Sequence, residues 1–346
     1  MTEKIKINML SKADSVDGQG VGSAYIEQVR LVKESPLLLV SVNGKPNKKS
    51  DIIHIHSVHP QYYFKMNKRR VSVCYVHFLP ETLDGSIKLP KPIFWFFKKY
   101  IIKMYKKADY IVVVNPVFIE PLKKYGIKEE RIKYIPNYVD QSTVHELSLD
   151  EKKNLKKKYG LEGDDFIVVG VGQVQTRKGV LDFVETAKKN PNIKFIWCGG
   201  FSFKQITSGY KELKEVMDNP PSNVKFLGII PRENMNEIYN ISNLLFLPSY
   251  NELFPMCILE AIQIDLPILL RDVDLYEPIL FDKYQKGTNN DDFSNIINKL
   301  KEDDSFYQEA KEKSKYLKEF YSKESILKIW EEFYLSIYNK KKGIKK

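Results

Sequence analysis

Apolar residues along this chain come in short runs separated by longer stretches of helical period. The first runs are 4–10, 36–42, 51–56, 71–77, 109–114 and 131–136, with an amphipathic stretch such as 23–31 between them. Many lack strict alternation of apolar and polar positions, as strands buried on both faces do, so the rhythm predicts a parallel sheet covered by helices. A polar, lysine-rich stretch, 141–158, interrupts it, and the rhythm restarts at 166–171, 193–198, 224–227, 244–247 and 268–270. From about Asp291 the period is helical. It ends in 324–338, where Ile326, Leu327, Ile329, Trp330, Phe333, Tyr334 and Ile337 mark an apolar face.

The fold class expected is therefore α/β, with two Rossmann-like parallel-sheet domains. A length of 346 residues exceeds one ordinary hydrophobic core and fits two. The expected division is 1–145 and 146–321, with 322–346 returning to the first domain through the last helix.

Composition narrows the setting. The opening residues alternate charged and apolar instead of giving a basic segment and an apolar core, and no run approaches the roughly 20 apolar residues of a spanning helix. A cytoplasmic chain with peripheral membrane contact is expected. Cys74, Cys198 and Cys257 are far apart and sit in apolar runs, the pattern of buried reduced thiols. His54 and His56 share one face of a strand near His59, but no third ligand is evident, and no metal is expected. The net charge of +11 implies an anionic partner: nucleic acid, acidic lipid or a diphosphate. It is concentrated between Pro60 and Lys107, where eleven Lys/Arg face only Glu81 and Asp84.

Three segments could carry chemistry. Gly18-Gln19-Gly20-Val21-Gly22 follows the first strand and precedes a helix, a place where glycine lets backbone N–H groups approach an anion. A glycine-rich turn without ligand would use the same letters. In Gly170-Val171-Gly172-Gln173 and onward to Arg177-Lys178-Gly179, glycines and two cations meet at a strand-to-helix turn, suited to neutralising a diphosphate leaving group. The third runs from Pro248 through Glu252, Phe254, Pro255, Met256 and Cys257 to Glu260. Pro255 suits the first turn of a helix, which puts Glu252 on the preceding loop and Glu260 more than one turn inside. A carboxylate there needs a partner, either ribose hydroxyls or a neighbouring lysine. Asp272-Val273-Asp274 reads as a solvated acidic pair on a loop.

The spacing of Glu252 and Glu260 after a strand ending in Pro248-Ser249, with the Arg177-Lys178-Gly179 turn and Ile135-Pro136-Asn137-Tyr138-Val139-Asp140, resembles retaining glycosyltransferases of family four, which have the GT-B fold. Nearly the whole chain shares the resemblance. The opening Ile7-Asn8-Met9-Leu10-Ser11, the segment from Val76-His77 to Leu83 and the Gly172–Gly179 turn are similar to bacterial synthases that add a second hexose to glucosyl-diacylglycerol. The resemblance implies a UDP-glucose or UDP-galactose donor and no obligatory metal. It implies that Arg177 and Lys178 grip the diphosphate, with Gly20 facing it, and that Gly172 belongs to the same turn. Glu252 and the amides of Phe254, Met256 and Cys257 would hold the sugar, Glu260 the ribose, and Gly228 would lie near the base. His77, Glu252, Arg177 and Lys178 would be the catalytic set, His77 contacting the transferred sugar. A lone histidine between Val76 and Phe78 also reads as a core residue. The sequence departs from the common pattern at Gln173, where many relatives have arginine, and at Pro255, where many have glycine.

A lipid acceptor is suggested by 94–107, helical in length, rich in aromatics and free of acids. Phe94, Trp95 and Phe97 could enter a headgroup region while Lys98, Lys99, Lys103 and Lys106 meet anionic lipid, and Tyr62, Lys65, Lys68, Arg69 and Arg70 repeat the recipe. An ordinary helix with aromatics toward the sheet would show the same letters. Lys340 to Lys346 reads as a solvated tail or a second foothold on lipid. The function expected is transfer of a hexose from a UDP-sugar to a membrane glycolipid, giving a diglycosyl-diacylglycerol. A soluble or polysaccharide acceptor, or a basic nucleic-acid-binding protein without chemistry, are the alternatives.

Overall fold

The coordinates are a computed structural model, in which residues 4–12, 20–44, 50–83, 91–201 and 209–343 are described. The chain divides into two compact units. One takes in the chain up to Leu83, the stretch ending at Tyr138 and a C-terminal return from Tyr321, and the other takes in Val139–Phe320.

The first unit is built on β1 (Ile5–Leu10), β2 (Leu38–Val42), β3 (Ile52–Ile55), β4 (Val71–Val76), β5 (Tyr110–Val113) and β6 (Ile132–Tyr134). They form one six-stranded sheet in the order β2-β1-β3-β4-β5-β6, every pair parallel. All six residues of β4 are buried, so its unalternating Val71-Ser72-Val73-Cys74-Tyr75-Val76 is what a central strand covered on both faces requires. Ser72 is tolerated there because its hydroxyl and amide both bond Asp109 Oδ2, at 2.7 and 2.8 Å.

The sheet is covered in part by the helix Lys323–Lys342, which follows the whole of the second unit and packs against β1, β4 and the helix Gly20–Lys33. The apolar face read from 324–338 does this: Ile326, Trp330, Phe333, Tyr334 and Ile337 are buried. Trp330 and Tyr334 meet an aromatic layer on the sheet. Tyr334 Oη lies 2.7 Å from His54 Nδ1, and the Trp330 ring lies 5.7 Å from that of Tyr75. His54, His56 and His77 share this layer, with His56 Nδ1 3.4 Å from His77 Nε2.

The second unit repeats the plan with β7 (Ile167–Val171), β8 (Lys194–Cys198), β9 (Val224–Gly228), β10 (Leu244–Leu247), β11 (Ile268–Arg271) and β12 (Gln285–Gly287), ordered β12-β11-β10-β7-β8-β9 and again parallel. No apolar run announced β12: an edge strand of Gln285-Lys286-Gly287 has one covered neighbour and no long hydrophobic stretch to give it away. The core beside β7, β8 and β10 is aromatic, with Phe183 5.1 Å from Trp197 and 5.6 Å from Phe246. Gly170 in β7 makes room for it, since a Cβ there would come within 2.4 Å of the Trp197 ring. Helix ends are capped by local chemistry, as at Ser148 and Glu151, which exchange side-chain-to-backbone bonds in a capping box.

Both sheets reverse their winding direction beside their first strand. In open parallel sheets this point leaves a crevice at the carboxyl ends of the strands, where ligands bind. In the second unit it falls between β7 and β10.

The buried histidines make a prediction. Burial lowers His54 and His77 from 6.5 to about 3, and His56 is also held well below 6.5, first by burial and then by its neighbours. The folded chain keeps them neutral while the unfolded chain protonates near 6.5, so stability is complete above that pH and is lost progressively toward 3. The expected loss is about 1.4 kcal/mol per pH unit for each histidine. Urea midpoints measured at neutral pH and about two units lower should fall, and His54→Gln should remove about one histidine's share of that fall. A variant with the parent's pH dependence would contradict it.

Candidate functional site

The loops that leave β7 and β10 carry the second and third segments singled out in the sequence, and the winding of the sheet makes them neighbours. After β7 the chain passes Gly172, forms a single turn at Thr176–Lys178 and reaches Gly179, whose φ of 69° suits glycine. A Cβ on Gly179 would approach the carbonyl oxygen of Pro248 to 2.2 Å. The glycine therefore lets the two loops touch backbone to backbone. Gly199, with φ 142°, plays the same part between the loops after β8 and β7: a Cβ there would meet the Gly172 carbonyl oxygen at 1.8 Å.

The contact brings opposite charges together. Lys178 Nζ donates to Glu252 Oε1, and the side chains are only 13% and 7% exposed. The Lys178 stem lies over Gly172, its Cδ 3.5 Å from where a Cβ would stand. Arg177 braces the same loop from its own backbone and side chain: its carbonyl accepts from the Tyr250 amide at 2.8 Å, and its Nη1 donates to the Asn251 carbonyl at 3.1 Å. Arg177 Nε is buried and meets no acceptor among the described residues.

Pro255 stands just before the helix Met256–Ile262 as its N-cap residue, one place earlier than the first turn expected for it. The helix is buried throughout, and Phe254, Met256, Cys257 and Glu260 are each at most 8% exposed. Cys257 lies close enough to Lys178, Glu260 and Glu252 for all three to act on its thiol, which burial above all pushes well up and so keeps protonated. Glu260 accepts a hydrogen bond from Tyr239 Oη at 2.6 Å and has Arg232 Nε at 3.9 Å. A tyrosine and an arginine are thus among its protein partners. Tyr239 is raised well above its usual range, first by burial and then by the Glu260 charge. Gly228 ends β9 with φ 71°, and a Cβ there would meet nothing within 4 Å. Gln173, which replaces an expected cation, accepts from Gln175 at 2.7 Å.

Gly172, Arg177, Lys178, Gly228, Glu252, Phe254, Met256, Cys257 and Glu260 all belong to the second unit. Gly20 and His77 belong to the first. Gly20 opens the helix Gly20–Lys33, while Gly18 and Gln19 lie outside the described residues. His77 directly follows β4, is 4% exposed and packs edge-on against Tyr75 at 4.5 Å. Sequence reasoning missed Tyr239, Arg232 and Tyr276. Tyr276 is raised well above its usual range, first by burial and then by the Glu252 charge. Single tyrosines in apolar stretches carry no signal of this kind.

The surface of the first unit sorts the expected lipid contacts. On the helix Lys91–Lys107, Ile101, Met104 and Tyr105 are buried while Ile93, Trp95 and Phe96 are at least half exposed, with Phe94 and Phe97 between. Lys99 Nζ sits 3.6 Å from the Trp95 ring centroid. Lys103 and Lys106 are exposed, and Lys98 pairs with Glu81. Two expectations need correction. Tyr62 is 2% and Arg70 9% exposed, because the short helix Pro60–Lys65 turns Tyr62 inward and Arg70 leads into buried β4. Phe64, 78% exposed, is the outward aromatic of that stretch, beside Lys65, Lys68 and Arg69. Among the described residues no helix is long and apolar enough to cross a membrane, and no group of three or more His, Cys, Asp or Glu is arranged to hold a metal ion.

Comparison with known proteins bears on this geometry. Residues 39–143 match the family described as Glycosyltransferase Family 4, and residues 151–317 match Glycosyl transferases group 1. An alpha-galactosylglucosyldiacylglycerol synthase of Streptococcus pneumoniae is 42% identical over 96% of this chain and 90% of its own. The chain belongs to the family four glycosyltransferases. A processive diacylglycerol alpha-glucosyltransferase of Acholeplasma laidlawii is 26% identical over 86% of this chain and 87% of its own. Among solved structures, Anabaena HepE, in a crystal with UDP and glucose, superposes with a TM-score of 0.76 at 16% identity, covering 95% of this chain and 99% of its own. The fold is GT-B and the protein is a glycosyltransferase, which sets aside the non-enzymatic nucleic-acid reading.

The buried pair of this glycosyltransferase gives a second prediction. Lys178→Met alone leaves the Glu252 carboxylate buried without its cation, a change expected to cost about 3–5 kcal/mol. Adding Glu252→Gln should restore most of that stability in urea unfolding. A single variant as stable as the parent would mean that the two side chains do not depend on each other.

Proposed function

We propose that the protein moves a glucose or galactose from a UDP-sugar, with retention of the α configuration, to a hydroxyl of a membrane glycolipid, α-glucosyl-diacylglycerol, giving a diglycosyl-diacylglycerol. The observation that carries the reading is the buried Lys178–Glu252 pair at the β7 and β10 crevice, beside Arg177 with its unsatisfied Nε, in a chain so similar to a galactosylglucosyldiacylglycerol synthase.

In this reading Arg177 and Lys178 take the diphosphate, whose negative charge grows as the sugar leaves. Glu252 and the backbone after it, through Phe254, Met256 and Cys257, hold sugar hydroxyls, and Glu260, fixed by Tyr239, receives the ribose. Gly172 and Gly228 keep the floor open for phosphate and base. Gly20 and His77 serve from the first unit, at the diphosphate and the transferred sugar. Arrival of the donor gives Lys178 a second anion to share, which frees Glu252 to accept from the sugar. The cations supply the charge needed at the leaving group, so the reaction calls for no divalent ion, and chelator should leave the rate unchanged.

The exposed Phe64, Ile93, Trp95 and Phe96, on the same two segments as Lys65, Lys68, Arg69, Lys99, Lys103 and Lys106, support peripheral docking on anionic lipid. At about 1 kcal/mol per basic residue, this set suffices for reversible attachment. The inner face of the cell membrane is the place this reading gives it.

Purified protein with UDP-glucose or UDP-galactose and glucosyl-diacylglycerol in anionic vesicles is expected to form a diglycosyl lipid, and Glu252→Ala to lower the rate by roughly 100-fold or more. Trp95→Ala with Phe96→Ala should weaken vesicle flotation while sparing transfer to acceptor dispersed in detergent. Transfer to soluble sugars that is indifferent to lipid would replace the glycolipid acceptor by a soluble one. No transfer from either donor, with Glu252→Ala indistinguishable from the parent, would sink the reading.

A further inference from the structure

Behind the loop that carries Glu252 stands a second charged group that touches neither Glu252 nor Lys178 in any hydrogen bond or ion pair described above. Arg271, the last residue of β11, is 8% exposed. Its Nε donates to the Pro248 carbonyl at 2.9 Å and its Nη1 to the Thr288 carbonyl at 3.0 Å, while Nη2 lies 3.2 Å from Asp182 Oδ1. The guanidinium carbon sits 4.0 Å from the centroid of the Tyr250 ring, and Tyr250 Oη donates to Asp182 Oδ2 at 2.9 Å. One planar cation thus joins three segments: the loop after β10, the turn after β12, and the helix Val180–Lys189 that leaves the Arg177-Lys178-Gly179 turn.

We propose that Arg271, with Asp182 and Tyr250, is a positioning clamp that holds the Pro248–Glu252 loop in its donor-binding shape. The proposal rests on the reading of Glu252 and Arg177 as donor-site residues. Two details separate a clamp from ordinary packing. Tyr250 is 52% exposed, so its ring gains little from burial, yet it is held on one side by a cation and at its tip by a carboxylate. Its amide is the group that bonds the Arg177 carbonyl, and the neighbouring Asn251 carbonyl receives Arg177 Nη1. The clamp therefore sets both the loop bearing the acid and the backbone that steadies the diphosphate cation. A lysine would keep the charge but could not direct two hydrogen bonds to the Pro248 and Thr288 carbonyls in one plane while pairing with Asp182 and stacking on the ring.

Calorimetric binding of UDP and of UDP-glucose or UDP-galactose, with donor and acceptor KM, tests this in the full chain. Arg271→Lys and Tyr250→Leu are expected to melt within a few degrees of the parent. They should nevertheless weaken donor binding or raise donor KM by about tenfold, with acceptor KM changed less than about twofold. Tyr250→Phe, which keeps the stack, should recover most of the loss seen in Tyr250→Leu. In a Glu252→Gln background, Arg271→Lys should weaken sugar-nucleotide binding by clearly less than in the parent, since a clamp that acts through Glu252 has less to lose. Equal losses in both backgrounds, or losses that track melting temperature alone, would overturn the clamp. Should Arg271→Lys fail to fold, the exposed Tyr250 variants decide. The UDP arm needs no acceptor, so a chain that binds UDP but transfers nothing to glycolipid would overturn the acceptor reading and still judge the clamp.

Discussion

A lysine and a glutamate that share one nearly dry crevice constrain the second unit more than any other contact. Two charges removed from water need each other, and they meet only because two loops approach with no side chain between them. That approach requires Gly179 against the Pro248 carbonyl, Gly172 under the Lys178 stem, and Arg177 bonded twice to the Tyr250–Asn251 backbone. The sheet order supplies the rest. β7 and β10 are adjacent strands whose connections depart in opposite directions, so their ends open on a common hollow.

The two units use the same plan and fill it with different chemistry. In the second, the face near the strand ends is charged, with Lys178 and Glu252 paired to each other. In the first, the residues just after β3 and β4, His56 and His77, are buried against tyrosine rings, where burial forbids charge. His77 is consequently a neutral imidazole, able to exchange hydrogen bonds but not to act as a cation. The same sheet geometry therefore offers an ionic surface in one unit and an uncharged one in the other.

Much of this was legible along the chain. Buried parallel strands announce themselves by apolar runs without alternation, and eleven of the strands stand where such runs are. β12 was invisible because three polar residues at a sheet edge carry no hydrophobic pattern. The site segments could be found because glycine, cation and acid recur at turn positions after strands. Their partners could not: Tyr239 for Glu260, Tyr276 beside Glu252, and Arg271 behind Tyr250 lie far off in sequence and are brought in by packing alone. The inward turn of Tyr62 was lost for a related reason, since a helix as short as Pro60–Lys65 shows too few residues for a period to emerge.

The helix Lys323–Lys342 has a consequence for how the chain is made. It covers β1 and β4, strands made before the second unit, yet it is synthesised only after that unit. The earlier sheet must wait, with the face that will receive Trp330 and Tyr334 open to water, while the later unit has all six of its strands within one stretch of chain and can close as they emerge. Assembly on the ribosome thus runs against the order of translation, and the first-made half is the last to be completed.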